Sequence, residues 1–260
     1  MNYRGLIGLM AAGAVGGGSY DTDAQAYFTA LPSDPGTTFK DAWNQCVIDL
    51  KAAGIYSKCI ALYPLPGTSA GNNAVNAKNP GTYDITWSGT ITHDSNGFTG
   101  NGGAVHGATG ITPSSHMTLN DTHLSVYCRT TAASSNPDMG CIATDRINLA
   151  VRIGSNTITE HGSNFIVSAN SDGKGFYVTT RRSNTDLELY KNGSTMSTNT
   201  GAGGGSLPNT ILAVGGSTGQ GGSNHNIAFA SVGSSLTDTE VANFHTAIET
   251  FQDALGRGVV

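Results

Sequence analysis

Hydrolysis of a glycosidic bond needs two carboxyl groups about 5–10 Å apart across the scissile bond, and the chain has four glutamates to offer: Glu160, Glu188, Glu240 and Glu249. No two are spaced to share one strand face, and aspartates such as Asp84, Asp94 and Asp172 sit at turns, where short acids form the turn or stay solvated. Gly215-Gly-Ser217-Thr-Gly219 spells the pattern of a nucleophile elbow. An elbow joins a strand to a helix, and here the chain runs on into Gln220-Gly-Gly-Ser-Asn224. His93, His106, His116, His123, His161, His225 and His245 contain no H-E-x-x-H or facing pair, and none of the glycine-rich loops carries a P-loop lysine. No catalytic residue, cofactor or metal ligand is assigned, and the chain reads as a non-enzyme. Calcium is the ion with a foothold, through the loops 93–96 (His-Asp-Ser-Asn) and 170–173 (Asn-Ser-Asp-Gly), although both also read as plain turns.

Binding chemistry has more candidates. Trp87, Tyr127, Tyr177 and Tyr190 lie in strand-like runs, where a ring can stack on a sugar or pack a core. The four cysteines fall into two pairs. Cys46 and Cys59 lie in consecutive helical segments, and Cys128 and Cys141 flank a turn-rich stretch between strands, so each pair can close a disulfide or remain as two small buried thiols.

The elements that would position these groups are legible in the apolar spacing. Ala24, Ala26, Tyr27 and Leu31, then Ala42, Trp43, Cys46, Val47 and Leu50, recur at helical steps, and Ile55, Cys59 and Leu62 extend the pattern until Pro64 and Pro66 stop it. Over 67–236 the texture becomes alternating apolar and polar runs separated by Gly, Asn, Asp and Ser, the mark of half-buried antiparallel strands. The clearest are 83–92, 122–130, 140–144, 148–153, 165–168, 175–181, 186–191, 210–215 and 226–232. Within 186–191, Leu187 and Leu189 point one way and Asp186, Glu188 and Tyr190 the other, which predicts one wet face in a two-sheet sandwich. Thr237-Asp-Thr-Glu240 is a capping box, and Val241, Phe244, Ile248, Phe251 and Leu255 form one stripe before Gly256, which predicts a helix packed on the sandwich.

Composition narrows the class. Charged residues are 12% of the 260, against a usual share of roughly a quarter, and there are 36 glycines. A net charge of −5 with no basic cluster larger than Arg181-Arg182 excludes a nucleic-acid surface. The apolar stretch after Arg4, broken by Gly5, Gly8 and Gly13, is too short for a membrane span, which needs about 20 apolar residues. It reads as an anchoring arm over 1–20 with a glycine hinge, ahead of a helical preface (21–66), the β-sandwich (67–236) and the closing helix (237–256).

Five segments carry a resemblance: Ala52-Ala-Gly-Ile-Tyr-Ser-Lys-Cys-Ile-Ala-Leu-Tyr-Pro64, Gly97-Phe-Thr-Gly-Asn-Gly102, Asp121-Thr-His-Leu-Ser-Val-Tyr127, Leu187-Glu-Leu-Tyr-Lys-Asn-Gly193, and Ala228-Phe-Ala-Ser-Val-Gly233 with Leu236-Thr-Asp-Thr-Glu240. In that order they resemble bacteriophage virion proteins with a concanavalin A-like, laminin-G-type sandwich (jelly roll). The resemblance implies a structural, decoration or appendage protein located in the virion, partnered by other virion proteins and copies of itself, with no catalytic residues to carry over. The alternative is a carbohydrate-binding adhesin for host-surface glycans, and the third reading is a polysaccharide-degrading enzyme.

Overall fold

A computed structural model of the chain describes residues 19–67, 69–104 and 106–260. The expected arm therefore lies outside the described residues except for Ser19 and Tyr20. The N-terminal part contains α1 (Thr22–Ala30), α2 (Thr37–Ala52), a 3-10 turn (Tyr56–Lys58), β1 (Cys59–Tyr63) and α3 (Ala70–Ala74). Short elements follow: β2 (Thr86–Trp87), β3 (Thr92–Asp94), β4 (Gly97–Thr99), β5 (Gly107–Ala108) and α4 (Pro113–His116). The long strands are β6 (Thr122–Cys128), β7 (Met139–Ile142), β8 (Arg146–Ile153), β9 (Asn156–His161), β10 (Asn164–Ala169), β11 (Gly175–Ser183), β12 (Asp186–Lys191) and β13 (Ser194–Asn199). The chain closes with β14 (Ala213–Val214), the small hairpin β15 (Gly216–Ser217) and β16 (Gly221–Gly222), then β17 (Asn226–Gly233) and α5 (Asp238–Ala254).

The strands form two antiparallel sheets, so the predicted sandwich is the observed fold. One sheet runs β13-β12-β11-β6-β17-β4-β3, with β1 also paired to β17; the other runs β10-β9-β8-β7-β14-β5-β2. Leu124, Val126, Tyr177, Leu187, Leu189 and Val232 of the first sheet meet Met139, Ile147, Leu149, Val151 and Ile166 of the second in one buried cluster.

The first sheet is covered on its other face as well, against the expectation of a wet face. Tyr127, Phe176, Val178, Tyr190 and Phe229 point away from the second sheet into a separate core with Trp43, Val47 and Leu50 of α2 and Val241, Phe244, Ile248 and Phe251 of α5. Phe176 and Phe244 meet edge to face at 5.0 Å, and Trp43 and Phe251 at 5.3 Å. Asp186 and Glu188 also turn toward this layer. They gather with Asp238 around the Arg182 guanidinium at the start of α5, whose capping box forms between Thr237 and Glu240. Polar residues alternating along β12 thus mark the rim of a helix, not solvent.

Residues 55–62 depart from the helical expectation. After the 3-10 turn the chain is extended and pairs with β17, Tyr63 opposite Ala230. Leu62 enters the helix-side core, while Ala61 and Tyr63 enter the inter-sheet core. A strand apolar on both faces has no period of two to read, so spacing alone mistakes it for helix. The run 83–92 divides instead of forming one strand: β2 pairs with β5 in the second sheet and β3 with β4 in the first, with Gly89 at φ +68° between them. Strands β9 and β13 lie outside the runs that the sequence marks most clearly, because Thr157 and Thr159 in β9 and the Ser and Thr of β13 disguise their pairing faces as loop. All four cysteines are free and buried, so the disulfide alternative does not form, and burial pushes the Cys59 and Cys141 thiols up to about 12.

Buried polar side chains join the layers. His161 Nδ1 lies 2.7 Å from Thr122 Oγ1, and its Nε2 lies 3.3 Å from Thr179 Oγ1, across the two sheets. His123 meets the Ser234 carbonyl and the Ser231 hydroxyl. Burial pushes both imidazoles far down, His123 to about 4 and His161 to about 3, so both are neutral in the fold. Arg257, 2% exposed, bonds the carbonyls of Leu65, Pro64 and Ala228 and the Gln252 Oε1, which fastens the tail behind α5 to the end of β1.

Truncating Phe244 to Ala removes the ring that joins α5 to Phe176 and Phe229; the expected loss is about 3–5 kcal/mol in urea unfolding, without a change in the far-UV spectrum of the remaining folded protein. The two neutral histidines predict acid sensitivity with a defined sign. Each is depressed below its unfolded value of 6.5, so its contribution is complete above that pH. It falls by up to about 1.4 kcal/mol per pH unit as pH drops from 6.5 toward 4. His93, His106 and His245, also lowered by burial, add the same sign. In unfolding curves measured every half unit over that range, His161→Gln is expected to flatten the slope by about one proton; an unchanged slope would show that His161 is not held neutral.

Candidate functional site

Among the described residues, with helices over the first sheet, the outer face of β8, β9 and β10 is a broad strand surface left open. Three strands in register build it. Asn148 of β8 is opposite Glu160 of β9, and Glu160 is opposite Phe165 of β10. In the next row Ala150, Ile158 and Val167 lie side by side. Phe165 and Val167 are 59% and 52% exposed, while Ile166 between them is buried in the inter-sheet core. Period two therefore presents two large apolar side chains to water on an edge strand, a position where exposed apolar groups are normally avoided.

Polar groups converge beside them. Asn148 is 2% exposed, and its Nδ2 donates to a Glu160 carboxylate oxygen at 2.5 Å. A carboxylate can only accept, so this bond fixes which end of the amide faces Glu160. The Asn148 Oδ1 is then a buried acceptor with no partner. Arg146, half exposed, reaches Glu160 at 3.4 Å from the other side. Pro137, Ile153 and Gln220 complete the rim of a groove of about 270 Å³, in which Glu160 is the one acid among the described lining residues. The bed of this groove depends on Gly140 of β7, opposite Asn148 at φ +146°. A Cβ there would stand 2.6 Å from the Asn148 Cα and Cβ.

The residues singled out in the sequence are placed elsewhere. Tyr127 and Tyr177 are 0% exposed and Tyr190 is 1% exposed, so none offers a ring to a ligand. Tyr127 and Tyr190 face the helices and Tyr177 the inter-sheet core. Trp87 is part-buried against His93 and Phe98, its Nε1 donating to the Ala70 carbonyl. The calcium loops close on themselves: Asp94 accepts from the Asn96 amide and Asp172 from the Lys174 amide, and Lys191 Nζ bonds the Asn170 side chain and the Asp172 carbonyl. A cation already occupies the second loop. Among the described residues no three His, Cys, Asp or Glu side chains cluster to hold a metal. Ser217 sits in β15 and pairs through a tight hairpin with β16, so the chain geometry there is not an elbow.

One buried constellation has the composition of a nucleophilic site. His225 Nδ1 lies 2.7 Å from Asp138 Oδ1, both side chains 0% exposed, and Cys128 adjoins the imidazole. Burial opposes the charged ring, yet the Asp138 carboxylate outweighs it and raises His225 to about 11. The thiol is pushed up by its burial and aims at the Thr130 carbonyl. Asp138 also accepts from Ser223 Oγ and the Val151 amide, so the pair pins the start of β7 to β8 and to the entry of β17. It is a fastening inside the sandwich, with both side chains closed off from solvent.

Sequence reasoning missed the groove for identifiable reasons. The spacing of the acids presents Glu160 only as half of a catalytic pair, and the inward threonines of β9 read as loop. The readable signal was the triplet Phe165-Ile-Val167, which puts apolar side chains on both faces of one strand.

No family model matches the chain, and no curated protein sequence matches it. Solved structures do. Trypanosoma rangeli sialidase in complex with sialic acid superposes with a TM-score of 0.56 at 14% identity, covering 85% of this chain and 40% of the sialidase chain. The botulinum neurotoxin serotype D binding domain superposes with a TM-score of 0.53 at 10% identity, covering 74% of this chain and 52% of that one. The chain thus spans about half or less of the length of these neighbours, and at such identities the likeness is one of fold, a two-sheet β-sandwich.

Replacing Gly140 by Ala is expected to displace Asn148 and cost about 1–3 kcal/mol, and to shift the Asn148 and Glu160 amide resonances more than those of the helices; equal small shifts everywhere would show that the bed of the groove tolerates the methyl group.

Proposed function

We propose that this protein is a carbohydrate-binding β-sandwich module that receives sugar in the groove of β8, β9 and β10. The observation that carries the reading is Phe165 exposed in one row with Glu160 and with Asn148, whose buried Oδ1 lacks a donor. A sugar ring has an apolar C–H face and a rim of hydroxyls. It can lie on the phenyl ring while its hydroxyls supply the missing hydrogen bonds, and a few polar groups fixed beside an apolar surface are the usual make-up of a small-ligand site. A buried acceptor left unpaired costs on the order of 1–3 kcal/mol, which a ligand hydroxyl relieves.

This reading takes precedence over the virion-structural role implied by the sequence resemblance. That role drew on the arm over 1–20, whose first 18 residues are undescribed, and neither structural neighbour named above is a virion protein. Both neighbours' names concern recognition, one holding sialic acid and the other called a binding domain. Display on a virion, with other virion proteins and copies of itself as partners, stands as a proposal resting on the resemblance. An adhesin for host-surface glycans joins the two. Catalysis by a carboxylate pair would need a second acid beside Glu160, and the described lining offers Asn148 and Arg146 there.

A glycan array followed by titration calorimetry tests the module. Phe165→Ala, at an exposed position, is expected to weaken binding at least about tenfold, about 1.4 kcal/mol, while the thermal midpoint stays within the small range usual for surface changes. Undiminished binding by this variant would move the site off this face.

A further inference from the structure

Resting on the reading of this groove as a sugar site, we infer that it selects an uncharged pyranose, bound as a single terminal ring through two adjacent hydroxyls, and discriminates against acidic and amino sugars. The charges of the groove decide this. Arg146 and Glu160 are the charged residues of the described lining, and at 3.4 Å each already answers the other. A ligand carboxylate would approach a guanidinium that is already engaged, with the Glu160 carboxylate beside it. A ligand ammonium would find Glu160, but with Arg146 at its shoulder. Neither sign enters without facing its like, and such juxtapositions are how sites reject wrong partners.

The open hydrogen-bonding capacity points the same way. Asn148 Nδ2 spends one of its two N–H groups on Glu160, Asn148 Oδ1 and the remaining Glu160 lone pairs accept, and the Arg146 guanidinium carries N–H donors beyond the one nitrogen turned to Glu160. Acceptors and donors thus stand side by side. Uncharged hydroxyls, which both donate and accept, match such a set, and Asn148 and Glu160 are directly opposite across β8 and β9, where neighbouring hydroxyls of one ring can meet them. Phe165 follows on the far side of Glu160 in the same row, where it meets the C–H face of that ring. A groove of about 270 Å³ is below the range of about 300–1,000 Å³ that encloses drug-sized ligands, which fits one ring at the end of a glycan.

The test uses the full chain and a panel read by calorimetry or ligand-observed NMR. Its uncharged members are the methyl glycosides of glucose, mannose and galactose; its charged members are methyl glucuronide, the methyl glycoside of N-acetylneuraminic acid, and glucosamine. The inference expects at least one uncharged glycoside to bind at least tenfold more tightly than every charged one. Glu160→Gln should cut that affinity at least tenfold, since it replaces an accepting carboxylate oxygen with a donating amide nitrogen and removes the charge that a ligand hydroxyl donates to. Phe165→Ala should do the same at an exposed position where folding is not at stake. Charged sugars binding as well as or better than uncharged ones, with Phe165→Ala still abolishing binding, would overturn the inference and leave the sugar-binding module standing. Binding of an uncharged sugar indifferent to both variants would overturn the inference by placing the ligand elsewhere, and silence across the whole panel would overturn the inference and the module together.

Discussion

Strands β6, β11 and β17 are buried on both faces, with large apolar side chains on each, and a sheet built from them must be covered twice. Leu124, Val126 and Tyr177 need the second sheet; Tyr127, Phe176 and Phe229 need something else, and α2 and α5 supply it. Burial of apolar surface is the dominant favourable term in folding and is not directional, so it fixes that both faces are covered without fixing by what. The capping box at Thr237 and the arginine at Arg182, which gathers Asp186, Glu188 and Asp238, set where α5 starts against the sheet. From this constraint the rest of the layer order follows: helices, covered sheet, second sheet, solvent.

That order decides where a ligand can go. Every strand aromatic of the covered sheet is used to pack a core, while among the described residues the outer face of the second sheet has no third layer to hide it. Phe165 and Val167 are exposed there because β10 lies at the edge of the stack, and Glu160 and Asn148 reach the same face because β8 and β9 run in register beside it. The glycine at position 140 matters for the same geometric reason. Opposite Asn148 there is no room for a methyl group, so the buried amide keeps its place under the groove.

Inside the sandwich, polarity is arranged for fastening. His161 joins Thr122 and Thr179 between the sheets, and the Asp138–His225 pair ties two loops to β8. Buried polar groups of this kind are tolerated because nearly every donor and acceptor finds a partner. Asn148 Oδ1 is one of the exceptions, and it differs from the satisfied network a few residues away in belonging to a residue that lines the groove. The same separation explains why two imidazoles of opposite charge state coexist in one core: His161 has only hydroxyls and a nearby guanidinium, whereas His225 has a carboxylate.

The local pattern of residues was sufficient for the closing helix, for α2, and for strands such as 122–130, 175–181 and 186–191, because an amphipathic period records which single face is buried. It was also sufficient for the class of fold, since short alternating runs with glycine-rich turns lead to a two-sheet sandwich. It failed where burial is two-sided or polar. Residues 59–63 are apolar all round, a spacing that reads as helix, and β9 turns threonines inward, a composition that reads as loop. The face that remains open was decided only by tertiary packing. Whether Tyr190 meets a helix or water, and whether Glu160 stands beside Phe165 or alone, depends on strand order and register between segments distant in the chain, and periodicity within one segment carries no information about its neighbour.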